Sequence, residues 1–380
     1  MEDRTWKYAV SAIQELTPYL PGKPIEELER ELGLEVGTTL KLASNENPLG
    51  ASPKAISALA NAQQALELYP DGSAYRLKQK LADKLSSDQL KISTEQITLG
   101  NGSNDVLDLI ARTFLSVRRD AVFSEYAFAV YQIVTQAAGA GAHIAKANPV
   151  THSMPYGHDL SAMLRQIRGN THVVFIANPN NPTGTWLHKN ELARFMQQVP
   201  KHVAVVIDEA YCEYVSQGIY PQMLHWLNKY PNLIITRTFS KIYGLASLRI
   251  GYAISSPEIA DLLNRVRQPF NVNSLALIAA EAALDDDEHV ERSVKINQQG
   301  LQQWQTVCQQ LGLDYIPSVG NFLSVNVGKK AEKIYQALLA EGVIVRPIAN
   351  YGLSDYLRIT IGTEAQNTRC IEALKKVINL

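Results

Sequence analysis

From about Asn45 onward, short apolar runs alternate along the chain with segments whose apolar residues recur at helical spacing. The clearest apolar runs are residues 121–123, 173–177, 203–207 and 233–236. Other segments, such as 74–85 and 190–199, have the pattern of amphipathic helices. Continuous apolar strands that alternate with helices are typical of a mostly parallel sheet covered by helices on both faces. We therefore expect an α/β fold with a mostly parallel central sheet.

The two ends of the chain have different patterns. Residues 1–40 are charged and helix-like, but three prolines interrupt them. Towards the other end, a long helical stretch, 274–310, precedes two strand-like runs at 321–327 and 356–361. A chain of this length is expected to form more than one domain. The predicted parts are an N-terminal arm that joins the small domain, a large domain and a small α+β domain, at residues 1–44, 45–268 and 269–380.

The composition limits the classes of partner. The 380 residues include 36 basic and 37 acidic side chains, a net charge of −1. This balance gives no electrostatic argument for nucleic acid or a membrane surface as a partner. No run approaches the roughly 18 apolar residues of a membrane span, and the charged N-terminus has no apolar leader core. We therefore expect a cytoplasmic protein that acts on small molecules.

The cysteines and histidines give no sign of a metal site. Cys212, Cys308 and Cys370 are widely spaced and form no CxxC pair. The eight histidines form neither an HExxH motif nor another ligand spacing, so no catalytic metal is expected. His152 and His158 lie in a polar stretch between strands, where we expect a surface loop.

Polar residues follow three of the apolar runs. The runs end in Asn-Pro-Asn-Asn-Pro-Thr-Gly (178–184), Asp-Glu-Ala-Tyr (208–211) and Arg-Thr-Phe-Ser-Lys (237–241). Taken singly, these are most often turn chemistry, a helix cap and a surface lysine. In an open α/β sheet, however, ligands bind at the carboxyl ends of the strands. Three strands are therefore expected to bring an amide, a carboxylate and an amine to one edge of the sheet.

Pyridoxal 5'-phosphate requires these groups. Lys241 supplies an amine that can form a Schiff base with the cofactor aldehyde. Asp208 supplies a carboxylate that can keep the ring nitrogen protonated, which makes the ring an electron sink. Asn181 and Tyr211 can donate hydrogen bonds to the phenolic oxygen beside the imine.

Two segments are candidates for binding the cofactor phosphate. Gly-Asn-Gly-Ser-Asn-Asp at 100–105 precedes an apolar helix, so its backbone N–H groups and the helix dipole favour an anion. This segment does not complete the GxGxxG dinucleotide motif. The second candidate is Arg249, with Ser240 and Thr238 nearby in the sequence, because a guanidinium can bind phosphate through two hydrogen bonds. We expect both segments to converge on one phosphate.

Together, these motifs resemble those of the fold-type I aminotransferases of class I and II. The resemblance rests on Thr-Phe-Ser-Lys (238–241) through Arg249, with Asn-Pro-Thr-Gly and Asp-Glu-Ala-Tyr upstream, and it covers nearly the whole chain. Within this family the chain is most similar to the histidinol-phosphate aminotransferases. That similarity lies in Lys-Leu-Ala-Ser-Asn-Glu-Asn-Pro-Leu-Gly (41–50), Tyr-Pro-Asp-Gly (69–72), Tyr-Leu-Arg-Ile-Thr-Ile-Gly (356–362) and Tyr-Leu-Pro-Gly (19–22).

The resemblance implies roles for the matching positions around the cofactor. Lys241 would carry the cofactor and shuttle the proton, and Asp208 would pair with the ring nitrogen. Asn181 and Tyr211 would bind the phenolic oxygen, and Tyr126 would stack on the ring. The cofactor phosphate would be held by Gly102, Ser103, Asn104, Ser240 and Arg249, with Thr238 as an additional candidate.

The resemblance also implies substrate and partner contacts. Arg358 would bind the acidic end of the substrate with help from Arg346. Tyr19 would belong to an arm that closes over the substrate, and Asn47 is a further candidate contact. Tyr69 would reach the cofactor phosphate of the neighbouring subunit, which implies a homodimer with shared active sites.

One position departs from the family pattern. Phe-Ser-Glu-Tyr (123–126) stands where the family commonly has a proline-led turn. Tyr131 is therefore the alternative to Tyr126 for stacking on the ring.

The implied reaction transfers the amino group of histidinol phosphate to 2-oxoglutarate, giving imidazole acetol phosphate and glutamate, as in histidine biosynthesis. Three alternatives remain: an aminotransferase for aromatic or other amino acids, a decarboxylase or lyase with the same cofactor, and a non-enzymatic binding domain. The fold does not distinguish the reaction types. The non-enzymatic alternative usually comes with an added DNA-binding module, and the sequence has no basic stripe.

Overall fold

A computed structural model describes residues 8–19, 21–62, 67–215, 218 and 220–378. In chain order the strands are β1 (Leu40–Lys41), β2 (Ile97–Gly100), β3 (Asp120–Ser124), β4 (Ala142–Ala145), β5 (Thr171–Ala177), β6 (Ala204–Asp208), β7 (Leu233–Thr238), β8 (Gly251–Ile254), β9 (Tyr315–Ile316), β10 (Phe322–Asn326), β11 (Val343–Ile344), β12 (Arg346–Pro347) and β13 (Tyr356–Thr360). The α-helices are α1 (Ser11–Gln14), α2 (Ile25–Leu32), α3 (Pro53–Ala60), α4 (Tyr75–Leu85), α5 (Ser103–Phe114), α6 (Ala129–Ala137), α7 (Leu160–Gln166), α8 (Lys189–Gln198), α9 (Pro257–Val266), α10 (Ser274–Ala283), α11 (Asp287–Leu311), α12 (Ala331–Ala340) and α13 (Glu364–Val377).

Helix starts follow local capping chemistry. Ser52, Ser256 and Asn273 accept hydrogen bonds from backbone N–H groups at the starts of α3, α9 and α10. Proline follows two of these caps, where its missing N–H costs no helical hydrogen bond. The side chain of Thr363 caps α13 in a capping box with Gln366.

The central sheet has seven strands in the order β2-β8-β7-β6-β5-β3-β4. Neighbouring strands from β7 to β4 are parallel, and β8 runs antiparallel to both of its neighbours. Ala177, Asp208 and Thr236 are register partners on β5, β6 and β7. The carboxyl ends of these three strands are therefore level, and the expected mostly parallel α/β fold is confirmed.

Both faces of this sheet are buried. On β5, Val174 and Ile176 face a core that includes residues of α4, α8 and α10. The intervening residues Val173 and Phe175 face a second core with α5, α6 and α9. This is why the strand sequences are continuously apolar instead of alternating.

A second sheet and a third core form the C-terminal part. Strands β12-β13-β10-β9 pair in an antiparallel sheet, and its inward residues pack on α11, α12 and α13. The N-terminal segment joins this part, because Leu40 and Lys41 pair in parallel with Val343 and Ile344. The N–H of Thr360 also donates to the carbonyl of Leu42.

The predicted domain bounds stay a prediction, but the helix that follows residue 269 still packs on the core of the large sheet. The expected helix over 274–310 is two helices, and the side chain of Asp286 between them caps α11. Helix α10 is rich in small apolar residues, and it packs on α3 and α4 within the core of the large sheet. The change from one core to the other therefore occurs along α11.

None of the described helices is long and apolar enough to cross a membrane. Across the same described ranges, His, Cys, Asp and Glu side chains do not gather in groups of three that could hold a metal ion. Cys212, Cys308 and Cys370 are free thiols.

Candidate active site

A cavity of about 510 Å³ lies at the carboxyl ends of β5, β6 and β7. Residues of the small sheet and of the N-terminal segment complete its wall. Of the residues predicted from the sequence, twelve line it: Tyr19, Ser103, Asn104, Asn181, Asp208, Tyr211, Thr238, Ser240, Lys241, Arg249, Arg346 and Arg358. The structure therefore brings together most of the predicted site, although the roles of these residues remain predictions.

Lys241 follows β7 and projects its amine into this cavity. Its Nζ donates to the carbonyl oxygen of Ser44 at 2.9 Å. Burial lowers the pKa of Lys241 to about 8, and the positive charges of Arg358 and Arg249 act in the same direction, whereas Glu46 opposes them. The amine can therefore lose its proton near physiological pH.

Asp208 ends β6 with one carboxylate oxygen bonded and the other unpaired. The hydroxyl of Tyr131 donates to Oδ2 at 2.9 Å. The other oxygen, Oδ1, is buried and has no hydrogen-bond partner among the described residues. Burial raises the pKa of Asp208 to about 6, and Tyr131, Thr236 and the backbone at Ala210 oppose this rise. A buried carboxylate oxygen without a donor is a place where a ligand N–H fits.

The loop before α5 forms an anion-binding corner. Ser103 and Asn104 are the first residues of the helix and line the cavity, and helix N-termini attract anions. Arg249 lies against this loop, and a Cβ atom at Gly102 would displace its guanidinium. The backbone φ of 88° at Gly102 also favours glycine. Nη1 of Arg249 donates to the carbonyl of Ala246 at 2.9 Å. Gly102 itself is outside the cavity lining and shapes this corner through its backbone.

Asn181 and Tyr211 line the cavity and contact the small sheet and the N-terminal segment. Nη1 of Arg358 donates to Oδ1 of Asn181 at 2.5 Å. The amide of Asn45 donates to the hydroxyl oxygen of Tyr211 at 2.9 Å. Burial raises the pKa of Tyr211 to about 12, so its hydroxyl stays protonated and can donate to a ligand oxygen.

Two arginines lie side by side at the end of the cavity next to the small sheet. Arg346 and Arg358 are register partners on β12 and β13. Nη2 of Arg358 donates to the carbonyl of Ala43 at 2.8 Å, and Nε is buried without a partner among the described residues. The guanidinium of Arg346 lies 5.6 Å from the ring centre of Tyr19. Adjacent like charges are unfavourable alone, so the pair is suited to an anionic ligand.

Neither tyrosine predicted to stack on the ring lines the cavity. Tyr126 packs edge-on against Tyr156 with 5.2 Å between ring centres. Tyr131 is buried behind the cavity, where it stacks on Phe175. Helix α6 starts directly after Phe128, and this turn places Phe128 at the cavity wall.

Asn47, a predicted substrate contact, does not line the cavity. Its side chain is turned away from the cavity, because its Nδ2 donates to the carbonyl of Ile242 and to Oγ of Ser293. Its Oδ1 accepts from the N–H of Leu49. Asn47 therefore ties the chain next to Lys241 to α11, and its side chain does not line the cavity.

Tyr69 lies outside the cavity of its own chain. Its side chain is 82 % exposed and stacks on Phe270 with 4.8 Å between ring centres. The predicted contact with a partner subunit stays a prediction.

Of the cavity residues that were not predicted from the sequence, four have polar or aromatic side chains. They are Ser44, Asn45, Glu46 and Phe128. Three of them belong to the segment 41–50, which contributed to the resemblance, but nothing in the local pattern indicates which of its side chains turns towards Lys241.

The expectation of a surface loop at His158 is wrong. This ring is buried, and its Nε2 lies 3.0 Å from the carbonyl oxygen of Ala177 at the end of β5. Burial lowers the pKa of His158 to about 4, so the ring is neutral. A polar sequence pattern indicates a loop, but it does not show which residue of the loop is buried against the end of a strand.

The chain belongs to the aminotransferase class I and II family, whose pattern matches residues 38–374. A curated relative, histidinol-phosphate aminotransferase 2 of Pseudomonas fluorescens (strain Pf0-1), is 55 % identical over 370 residues, which cover 97 % of each chain. Histidinol-phosphate aminotransferase 1 of Nitrosococcus oceani is 52 % identical over 377 residues, covering 99 % of this chain and 98 % of the relative.

A solved structure supports the same family membership. The crystal structure of histidinol-phosphate aminotransferase from Sinorhizobium meliloti in complex with pyridoxal-5'-phosphate superposes with a TM-score of 0.85. It is 28 % identical and covers 98 % of both chains. The family membership predicted from the strand-end motifs is therefore confirmed.

Proposed function

We propose that this chain is a pyridoxal 5'-phosphate-dependent aminotransferase that moves the amino group of histidinol phosphate to 2-oxoglutarate. The products are imidazole acetol phosphate and glutamate. The observation that carries this proposal is the arrangement in one cavity of the Lys241 amine, the unpaired oxygen of Asp208 and an arginine group at each end. The names of the relatives at 50–55 % identity support the choice of amino donor.

The residues present fit the cofactor. Oδ1 of Asp208 lacks a donor that a protonated ring nitrogen would supply. The start of α5 and Arg249 form a corner for the phosphate, where a side chain at Gly102 would displace the Arg249 guanidinium. When bound, the cofactor supplies an electrophilic carbon for amines and a protonated ring that accepts electrons from the substrate.

Lys241 then serves as the amine that holds the cofactor and as the base that moves the substrate proton. With its pKa lowered to about 8, Nζ can take up and return a proton near neutral pH. Asp208 holds the proton of the ring nitrogen, and Tyr211 with Asn181 orients the phenolic oxygen.

The pair of arginines accounts for an anionic substrate. Arg358 has an unpaired Nε in the cavity wall region, and its neighbour Arg346 adds a second positive charge. Guanidinium groups bind phosphate oxygens through paired hydrogen bonds, which suits the phosphate of histidinol phosphate. Tyr19 packs over Arg346 and would exclude water from this end.

A homodimer with shared active sites belongs to the same proposal, as does a cytoplasmic location. Tyr69 is exposed beside Phe270 and is available for the partner's cofactor phosphate, as the family resemblance implies. Cross-linking with a Tyr69→Cys variant would test the contact.

The test of the proposed function is an absorbance titration of the cofactor-loaded protein with histidinol phosphate. The yellow colour should bleach as the amino group is transferred, and 2-oxoglutarate should restore it. In coupled assays, a much higher kcat/KM for phenylalanine would instead favour an aromatic aminotransferase. Release of CO₂ or ammonia without a keto acceptor would contradict amino transfer.

A further inference from the structure

A buried hydrogen bond joins α6 to the central carboxylate of the cavity. The hydroxyl of Tyr131 lies 2.9 Å from Oδ2 of Asp208. Tyr131 is completely buried and does not line the cavity, so it is not available to touch a ligand. An ionised carboxylate only accepts hydrogen bonds, so the hydroxyl is the donor.

The ring of Tyr131 is held by two other aromatic rings. It stacks on Phe175 with 4.9 Å between centres and an angle of 8°. Phe128 meets it edge-on at 5.9 Å. Phe175 lies on β5, directly beside the strand that ends in Asp208. Because these contacts fix the ring, they also fix the direction in which its hydroxyl donates.

The two oxygens of Asp208 are therefore in different situations. Oδ2 has the hydroxyl of Tyr131, whereas Oδ1 is buried without a donor among the described residues. We propose that Tyr131 is a positioning residue, whose hydroxyl fixes Oδ2 and stabilises the ionised carboxylate, so that Oδ1 accepts the N–H of the cofactor ring. The cofactor part of this inference rests on the proposed function, whereas the effect on the carboxylate does not.

The surroundings of Asp208 explain why such a donor is needed. Burial raises the pKa of Asp208 to about 6, and the negative charge of Glu209 adds to the rise. Burial also raises the pKa of Tyr131 far above its usual range, so its hydroxyl remains a donor throughout the physiological range. The other titratable or charged groups that line its cavity are Tyr19, Glu46, Tyr211, Lys241, Arg249, Arg346 and Arg358.

The hydrogen bond has a signature in the pH dependence of stability. The pKa of Asp208 is raised to about 6 in the folded protein. Its ionisation therefore lowers the stability of the folded state as the pH rises from the ordinary pKa of an aspartate to above about 6. The Tyr131 hydroxyl offsets part of this cost, and it does so mainly for the ionised form. Removing the hydroxyl should therefore destabilise the cofactor-free protein more at pH 8 than at pH 5.

The first arm of the test uses Tyr131→Phe, which keeps the ring and its stacking. Tyr214→Phe is the matched control, because Tyr214 is also buried and lies outside the cavity lining. Thermal unfolding of the cofactor-free proteins is measured at pH 5 and pH 8. The inference predicts a deficit for Tyr131→Phe that grows with pH and a deficit for Tyr214→Phe that does not. An equal deficit for Tyr131→Phe at both pH values overturns it.

The second arm measures the dissociation constant of pyridoxal 5'-phosphate at pH 8 by fluorescence. Loss of a hydrogen bond to a charged group should weaken binding roughly tenfold in Tyr131→Phe, with little change in Tyr214→Phe. If wild type binds the cofactor and Tyr131→Phe binds it equally well, the positioning role is wrong while the proposed function stands. If wild type does not bind the cofactor, the proposed function and the cofactor part of the inference both fall.

Discussion

The two ends of the cavity are built in different ways. The sheet end, which we define as Asp208, Lys241 and Arg249 with the start of α5, comes from the large sheet and the segments directly attached to it. The arginine end, which we define as Arg346, Arg358 and Tyr19, comes from the small sheet and the N-terminal segment.

The sequence separation of the contacts differs accordingly. At the arginine end, Arg358 donates to the carbonyl of Ala43, and the N–H of Asn45 donates to Thr360, in each case across 315 residues. At the sheet end, Arg249 contacts Ala246 and Ser240 within its own loop. The residues of the sheet end lie at or next to strand ends of the large sheet, although Nζ of Lys241 also reaches the carbonyl of Ser44 across 197 residues. The arginine end exists only once the N-terminal segment and the small sheet have met. We therefore expect variants at the sheet end to lower cofactor affinity and variants at the arginine end to lower substrate affinity.

The largest effect is expected at the centre of the sheet end. Asp208→Asn keeps the size of the side chain but removes the charge that holds the ring proton. We expect kcat/KM to fall by roughly 10²–10³-fold, with the cofactor still attached to Lys241. Steady-state assays and absorbance spectra measure these two properties.

Asp120→Asn is the matched control for this variant. Asp120 is a carboxylate near the edge of the same sheet, where it meets His143 outside the cavity. Equal kcat/KM values for Asp208→Asn and the Asp120→Asn control would contradict the proposed role of Asp208 in holding the ring proton.

Exchanging one arginine at each end tests whether the two ends act independently. Arg249→Lys should weaken cofactor binding, and Arg358→Lys should raise KM for histidinol phosphate, each by roughly 10- to 100-fold. Lysine keeps the charge but loses the paired hydrogen bonds of the guanidinium. Titrations with cofactor and with substrate separate the two effects. Similar losses of both affinities in both variants would show that the ends are not independent.

A pH profile tests the electrostatics around Lys241. The amine must be unprotonated to capture the cofactor, and burial with the nearby arginines lowers its pKa to about 8. In stopped-flow measurements on the cofactor-free protein, the capture rate should rise roughly tenfold per pH unit below this value and level off above it. A rate that keeps rising beyond pH 10 would mean that the amine behaves as an ordinary exposed lysine.

The smallest effect is expected where the two ends meet. Asn45→Ala removes the hydrogen bond to the hydroxyl of Tyr211 and the one that Oδ1 accepts from Thr360, but leaves the Tyr211 hydroxyl able to contact the cofactor. Loss of the neutral hydrogen bond to Tyr211 corresponds to a change of roughly threefold to tenfold in kcat/KM. A loss as large as that of Asp208→Asn would contradict the supporting role of Asn45.

The sequence predicted the sheet end better than the arginine end for a physical reason. Each strand end carries its functional residues within a few positions of an apolar run, so the fold and Lys241, Asp208 and Arg249 could be placed together. Asn45 and Asn47 lie two residues apart in one irregular segment, where no periodicity distinguishes the side chain that meets Tyr211 from the one that meets Ser293. Such orientations depend on packing between distant parts of the chain.

The same dependence on packing explains why the sequence did not show which aromatic residue reaches the cavity. Tyr126, Phe128 and Tyr131 all follow β3, and the start of α6 decides which of them meets the cavity. Helix boundaries are among the least certain features of a sequence pattern. A shift of one turn there exchanges a residue at the cavity wall for one buried behind it.

The most direct test of the account is to identify the lysine that holds the cofactor. Borohydride makes the link between an amine and an aldehyde permanent, and peptide mass spectrometry then locates it. The account predicts one cofactor per chain, attached at Lys241, with loss of the label in Lys241→Ala and its retention in the exposed control Lys201→Ala. Attachment at another lysine, or an unchanged label in Lys241→Ala, would contradict it.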